Sequence, residues 1–178
     1  MNKTKKLVFA ALFAALTMVG AFLKIPVGVT AITLQFLATA MAGAVLGAKW
    51  GAISQLVYVL LGLVGLPIFT KGGGLWYVLE PSFGFLLGLI PAAIVVGALR
   101  GTGTKPLRMF CAASAGLGVL YLVGLPYMYL ILNLYLGKGM PVGTLIWSGM
   151  LIYLPGDFMK ILVTALLAPT LNRAIQRV

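Results

Sequence analysis

A chain of 178 residues with 62% apolar and 8% charged side chains, and a mean hydropathy of +1.12, has too little polar surface to face water; a soluble domain carries about a quarter charged residues. Its solvent is therefore mainly lipid. The single cysteine, Cys111, excludes a disulfide scaffold, and the absence of histidine removes the usual neutral-pH base and metal ligand.

A bilayer-crossing helix needs roughly 17–25 mostly apolar residues. The uncharged runs predict six of them, over 6–23, 33–48, 51–66, 82–100, 108–135 and 147–173. Pro26, Pro67, Pro81, Pro106 and Pro141 fall at the boundaries, where proline is tolerated. The expected fold class is an all-α integral membrane protein, with 1–178 forming one membrane-embedded domain.

In the first helix, Ala10, Ala11, Ala14 and Ala15 form two overlaid small-residue spacings, a smooth face for close approach to another helix. Gly43, Gly47 and Gly51 follow at four-residue intervals, as do Gly84 and Gly88. Such spacings serve packing within the chain or docking onto another membrane subunit. Between the third and fourth helices, Gly72, Gly73 and Gly74 precede Trp76, Tyr77 and Glu80. This segment reads either as a hinged loop with aromatic lids or as a solvated loop with interfacial aromatics. The pentapeptide Leu-Val-Gly-Leu-Pro occurs at 63–67 and again at 122–126, which suggests two similar helix ends.

In the last helix, Asp157 and Lys160 stand three residues apart and so share one face, directly after Pro155-Gly156. Charges within a membrane helix are costly and usually functional. The pair is either self-neutralising and structural, or a ligand site with one acceptor and one donor beside a helix start. Gln35, Gln55, Tyr58, Tyr121 and Asn133 are candidate hydrogen-bonding residues of a pocket or of helix contacts.

The chain holds 13 Lys+Arg against 2 Asp+Glu. With six helices, Lys3, Lys5, Lys6, Lys49, Arg100, Lys105, Arg108, Arg173 and Arg177 share one side of the membrane. Lys24, Lys71 and Lys138 lie on the other. The positive-inside bias then places both termini in the cytoplasm. This asymmetry accounts for the net charge of +11 without nucleic-acid binding. No phosphate-binding loop is present, two carboxylates are too few for a di-metal site, and no nucleophile stands with a histidine base. An enzyme is not expected.

Several segments together are similar to one family. They are Pro26–Gln35, the Gly43, Gly47 and Gly51 series, Tyr58-x-x-x-Gly62-x-x-Gly65-Leu66-Pro67-Ile68-Phe69, Pro81-Ser82-Phe83-Gly84-Phe85 and Pro155-Gly156-Asp157-x-x-Lys160. In this order they resemble the BioY proteins, biotin-specific substrate-binding (S) components of energy-coupling factor transporters. Glu80 stands where the family usually has Gly, and Ser82 and Phe85 where Thr and Tyr are usual. The resemblance implies a six-helix S component in a bacterial or archaeal cytoplasmic membrane, binding biotin at its outer face and using no cofactor. It also implies docking, through Ala10, Ala11, Ala14 and Ala15, onto a membrane coupling protein that carries two ATPases. Asp157 and Lys160 would meet the ureido ring of biotin. Trp76, Tyr77 and Phe83 would supply aromatic walls, with Gln35, Glu80, Tyr121 and Asn133 as further contacts. The carboxylate would point to water, towards Lys71, Lys24 or the glycine-rich backbone. An S component for another vitamin, such as riboflavin or thiamine, and a ligand-free structural membrane protein are the alternatives.

Overall fold

A computed structural model describes residues 2–27 and 30–176. Gly28 and Val29 of the first motif, and Arg177 of the basic set, lie outside the described residues. Among the described residues the regular structure is helical apart from one small hairpin and an isolated bridge between Phe69 and Gly72. In order the elements are α1 (Lys3–Phe22), β1 (Lys24–Val27), β2 (Thr30–Thr33), α2 (Gln35–Leu46), α3 (Ala48–Leu63), a 3-10 turn (Leu75–Leu79), α4 (Phe83–Leu99), α5 (Pro106–Tyr129), α6 (Val142–Ile146) and α7 (Leu154–Gln176). A π turn, Leu130–Tyr135, prolongs α5, and another, Trp147–Leu151, joins α6 to α7. Six helical bodies result, as expected. Three of them, Lys3–Phe22, Pro106–Tyr135 and Val142–Ile175, are long and apolar enough to cross a membrane. Exposed Leu12, Leu60, Leu122, Leu134 and Leu166 give the bundle an apolar exterior suited to lipid.

The structure corrects several boundaries. The second helix begins at Gln35, because residues 24–27 and 30–33 form an antiparallel pair with Lys24 opposite Thr33 and Ile25 opposite Ile32. Proline and β-branched residues crowd this stretch and favour extended backbone. The third helix begins at Ala48, with one residue between it and the second, because Gly47 makes the junction at φ +83°, a conformation that residues other than glycine rarely adopt. The last body begins at Val142, directly after Pro141, whose fixed φ suits a helix start. The second Leu-Val-Gly-Leu-Pro copy is not a helix end: α5 runs through Pro126 to Tyr129. There Gly124 accommodates the Phe85 ring.

The glycine spacing serves packing within the chain. A Cβ on Gly43 would stand 2.6 Å from the carbonyl oxygen of Ala93, and one on Gly51 would stand 2.9 Å from the Cα of Gly43. The helix α2 is accordingly enclosed by α1, α3, α4 and α7, and eleven of its twelve residues are buried. At the end of α2, Arg100 Nη1 donates to the carbonyls of Ala44 and Val45 at 2.9 and 2.6 Å. Asn172 Nδ2 donates to those of Ala44 and Gly103 at 3.0 and 2.9 Å. Carbonyls left over at a helix terminus are satisfied in this way.

The alanine face of α1 divides in two. Ala10 and Ala14 are buried in the chain's own core with Phe13 and Thr17, so they are not free for a partner. Ala11 and Ala15, one residue round the helix, are exposed between Val8, Leu12 and Val19. The four alanines expected to form one face therefore lie two in the core and two exposed, because successive helix residues point about 100° apart.

Candidate functional site

A cavity opens at the hairpin end of the bundle, between β2, the starts of α2, α4 and α7, and the middle of α5. Phe36, Phe85, Leu86, Leu89 and Leu120 form its apolar wall. Its polar lining comes from Thr33, Gln35, Thr70, Tyr77, Ser82, Tyr121, Tyr153, Asp157 and Lys160. Polar groups that converge on an apolar wall are what small-molecule sites share.

Asp157 and Lys160 are placed there by the first two turns of α7. The π turn before it ends with Ile152 N–H donating to the Trp147 carbonyl and Tyr153 N–H to that of Met150. Pro155 then occupies a helix start, where its missing N–H leaves no carbonyl unpaired. Asp157 N–H closes the turn onto the Tyr153 carbonyl at 2.9 Å. Lys160 Nζ donates to Asp157 Oδ1 at 2.6 Å, with the two side chains only 9% and 7% exposed. Tyr121 OH donates to Asp157 Oδ2. The carboxylate thus uses about two of its roughly four lone-pair positions, and the ammonium keeps donors to spare. This arrangement accepts from an N–H and donates to a carbonyl on one small polar group.

Behind the cavity runs a chain of uncharged hydrogen bonds. Thr33 Oγ1 donates to Gln35 Oε1 at 3.0 Å, Gln35 Nε2 to Tyr58 OH at 2.8 Å, and Tyr58 OH to the Ile68 carbonyl at 3.1 Å. On the next layer, Thr39 Oγ1 donates to Gln55 Oε1 at 2.8 Å, and Gln55 Nε2 to Thr17 Oγ1 at 3.2 Å. These bonds orient Gln35 at the cavity wall. They place Gln55 and Tyr58 behind it as helix contacts.

The loop between α3 and α4 carries Tyr77 inward and Trp76 outward. Gly62 makes this loop possible, since a Cβ there would run into the Phe69 ring. Tyr77 lines the cavity and its OH is 2.8 Å from Thr70 Oγ1. Trp76 is 84% exposed and lies over a separate surface groove beside Leu63, Val64 and Leu75. Phe83 is buried behind the wall, in an aromatic series with Tyr77 and Tyr127 at ring-centroid distances of 6.3 and 5.9 Å. Lys71 Nζ and Glu80 Oε2 pair at 2.8 Å on the surface, outside the cavity. Lys24 Nζ donates to the Thr70 carbonyl. Asn133 lies elsewhere: its side chain clamps Met140, donating to the carbonyl at 3.0 Å and accepting from the N–H at 2.5 Å.

Of the ten expected ligand residues, the cavity therefore brings together Asp157, Lys160, Tyr121, Gln35 and Tyr77. It leaves Glu80, Lys71, Trp76, Phe83 and Asn133 outside. Sequence reasoning missed Thr33, Thr70, Ser82 and Tyr153 as lining residues. Two carried a signal: Tyr153 precedes Asp157 by one helical turn, and Thr33 stands two residues before Gln35.

The family model described as "BioY family" matches residues 1–177. A relative from Lysinibacillus sphaericus, named "Probable biotin transporter BioY", is 41% identical over 177 residues, covering 98% of this chain and 90% of its own. The "Biotin transporter BioY" of Thermotoga maritima is 34% identical over 175 residues, covering 95% of this chain and 96% of its own. Among solved structures, the 2.1 Å crystal structure of the S-component for biotin from an ECF-type ABC transporter matches with a TM-score of 0.84. That match is 27% identical and covers 97% of this chain and 95% of the other.

Proposed function

This chain belongs to the BioY family of multi-pass membrane proteins, and we propose that it is the biotin-capturing S component of an energy-coupling factor uptake transporter. One observation carries the reading: the buried Asp157–Lys160 pair, backed by Tyr121, faces a cavity whose remaining wall is largely apolar. The ureido ring of biotin offers two N–H donors and one carbonyl acceptor. Its N–H groups suit the open lone pairs of Asp157, and its carbonyl suits the spare donors of Lys160. Both contacts are charge-assisted, the stronger class of hydrogen bond. Phe85, Leu86, Leu89 and Leu120 suit the thiophane ring and alkyl chain, whose burial drives binding.

The remaining parts of the reading follow from topology. Both termini lie in the cytoplasm, and the cavity opens outward at the hairpin end. Ala11 and Ala15 offer the close-approach surface for a membrane coupling protein, whose ATPases do the hydrolysis. The test is purification in detergent, identification of the co-purified small molecule, and calorimetric titration with biotin, riboflavin and thiamine. Biotin alone should co-purify and bind. Retention of either other vitamin, or of none of the three, would overturn the assignment.

A further inference from the structure

We propose that Gln55 is a positioning residue that links the cavity wall to α1, the helix that exposes Ala11 and Ala15, through hydrogen bonds that can be held in two arrangements. The inference rests on the biotin reading above and on Ala11 and Ala15 as the close-approach surface. Gln55 projects from α3 to where α1, α2 and α3 meet, and it is enclosed there at 0% exposure with Thr17, Thr39 and Ser54. A hydroxyl has one proton to give, yet each threonine has two acceptors within reach. Thr39 Oγ1 lies 2.9 Å from the Gln35 carbonyl of its own helix and 2.8 Å from Gln55 Oε1. Thr17 Oγ1 lies 2.8 Å from the Phe13 carbonyl of its own helix and 3.3 Å from Gln55 Oε1. Gln55 Nε2 donates to Thr17 Oγ1 at 3.2 Å and to Ser54 Oγ at 3.3 Å.

The Gln55 amide oxygen can therefore be held from α2 by Thr39 or from α1 by Thr17, while the other threonine turns to its own helix. Neither arrangement strands a buried polar atom, so α1 can change its seat on α2 and α3 without the penalty of an unmade hydrogen bond. The threonines do not need the amide, because the carbonyls four residues back serve both. What the amide adds is a connection. Thr39 stands one turn after Gln35, which lines the cavity, and Thr17 stands about 200° round α1 from the exposed Ala15. A ligand that fixes the start of α2 and a partner seated on Ala11 and Ala15 thus act on the same amide from opposite sides. By linkage, each changes the affinity for the other by the same factor.

The experiment measures amide hydrogen exchange by mass spectrometry on the full chain in detergent, with and without saturating biotin. The cavity takes no residue from α1, so any effect of biotin on that helix has to be transmitted. In the unaltered protein biotin should slow exchange over residues 13–20 of α1 at least about fivefold. Thr17→Val keeps the shape and leaves Gln55 with Thr39 and Ser54, so biotin affinity should stay within about twofold while the slowing in α1 disappears. Gln55→Leu should lose the slowing in the same way, and Thr17→Ser, which keeps the hydroxyl, should retain it. A role in packing alone would leave the slowing in place in Thr17→Val. Slowing that persists in Thr17→Val or Gln55→Leu, its absence from the unaltered protein, or its loss in Thr17→Ser would each overturn the assignment of Gln55 alone. Failure of the unaltered protein to bind biotin would overturn the biotin reading, and this assignment with it.

Discussion

Replacing Asp157 with Asn should damage folding and binding by separable amounts. Lys160 Nζ lies 2.6 Å from Asp157 Oδ1, with both side chains nearly shielded from solvent. A neutral amide at 157 leaves that ammonium uncompensated, and breaking a buried pair from one side costs about 3–5 kcal/mol. On the ligand side, the lost charge weakens a ureido hydrogen bond. Bonds to charged groups are worth about 1.5–3 kcal/mol, so biotin affinity should fall about 10- to 150-fold. Lys160→Met should cost similar affinity, leaving the carboxylate with the Tyr121 hydroxyl as its donor. The double variant Asp157→Asn, Lys160→Met carries neither charge, so its stability should return to near that of the unaltered protein while its affinity stays at least as low as that of either single variant. Thermal unfolding and biotin titration on the same monodisperse fractions separate the two effects. A double variant that regains both stability and affinity, or folded single variants with unchanged affinity, would show the pair to be structural only.

Ala15→Trp should abolish association with the coupling protein while leaving biotin affinity within about threefold, because Ala15 is exposed and bulk blocks close approach; Ala14→Trp, in the core, should instead unfold the protein, as thermal unfolding would register. In a Cys111→Ala background, a cysteine at exposed position 76 should react with an impermeant maleimide from outside intact cells, and one at 102 only after the membrane is opened. The reverse accessibility would invert the topology. Gly43→Ala should lower stability by about 1–3 kcal/mol through overpacking, since its Cβ would press on the fixed Ala93 carbonyl, whereas Gly118→Ala, with open space around it, should be nearly neutral in thermal unfolding.

The features that lipid imposes were legible in the sequence, and those set by contacts were not. Uncharged runs between basic residues locate six bodies because a span must be long and apolar. Asp157 and Lys160 stand out because a charged pair is rare inside such a run. Glu80 drew notice by the same rarity, yet its partner Lys71, nine residues earlier, holds it at the surface. Gly47 looked like a packing residue because its backbone angle leaves no mark in composition. Ser82 carries no charge, and only the enclosing wall makes its hydroxyl conspicuous. The split between Ala10 and Ala11 depends on which side of α1 meets α2 and α3, which four similar alanines do not encode.

The brevity of α2 bears on how the protein enters its membrane. Twelve residues rise about 18 Å, against a hydrocarbon layer of about 30 Å. Such a segment does not hold itself across a bilayer alone, and the single-residue junction at Gly47 ties it to α3. The two therefore form one hairpin, the natural unit for insertion. The hydrogen bonds from Gln35 to Tyr58 and from Thr39 to Gln55 both lie inside that hairpin. Their amides and hydroxyls pair with one another within the hairpin, so this part of the polar core is satisfied without any group from α1, α4 or α7.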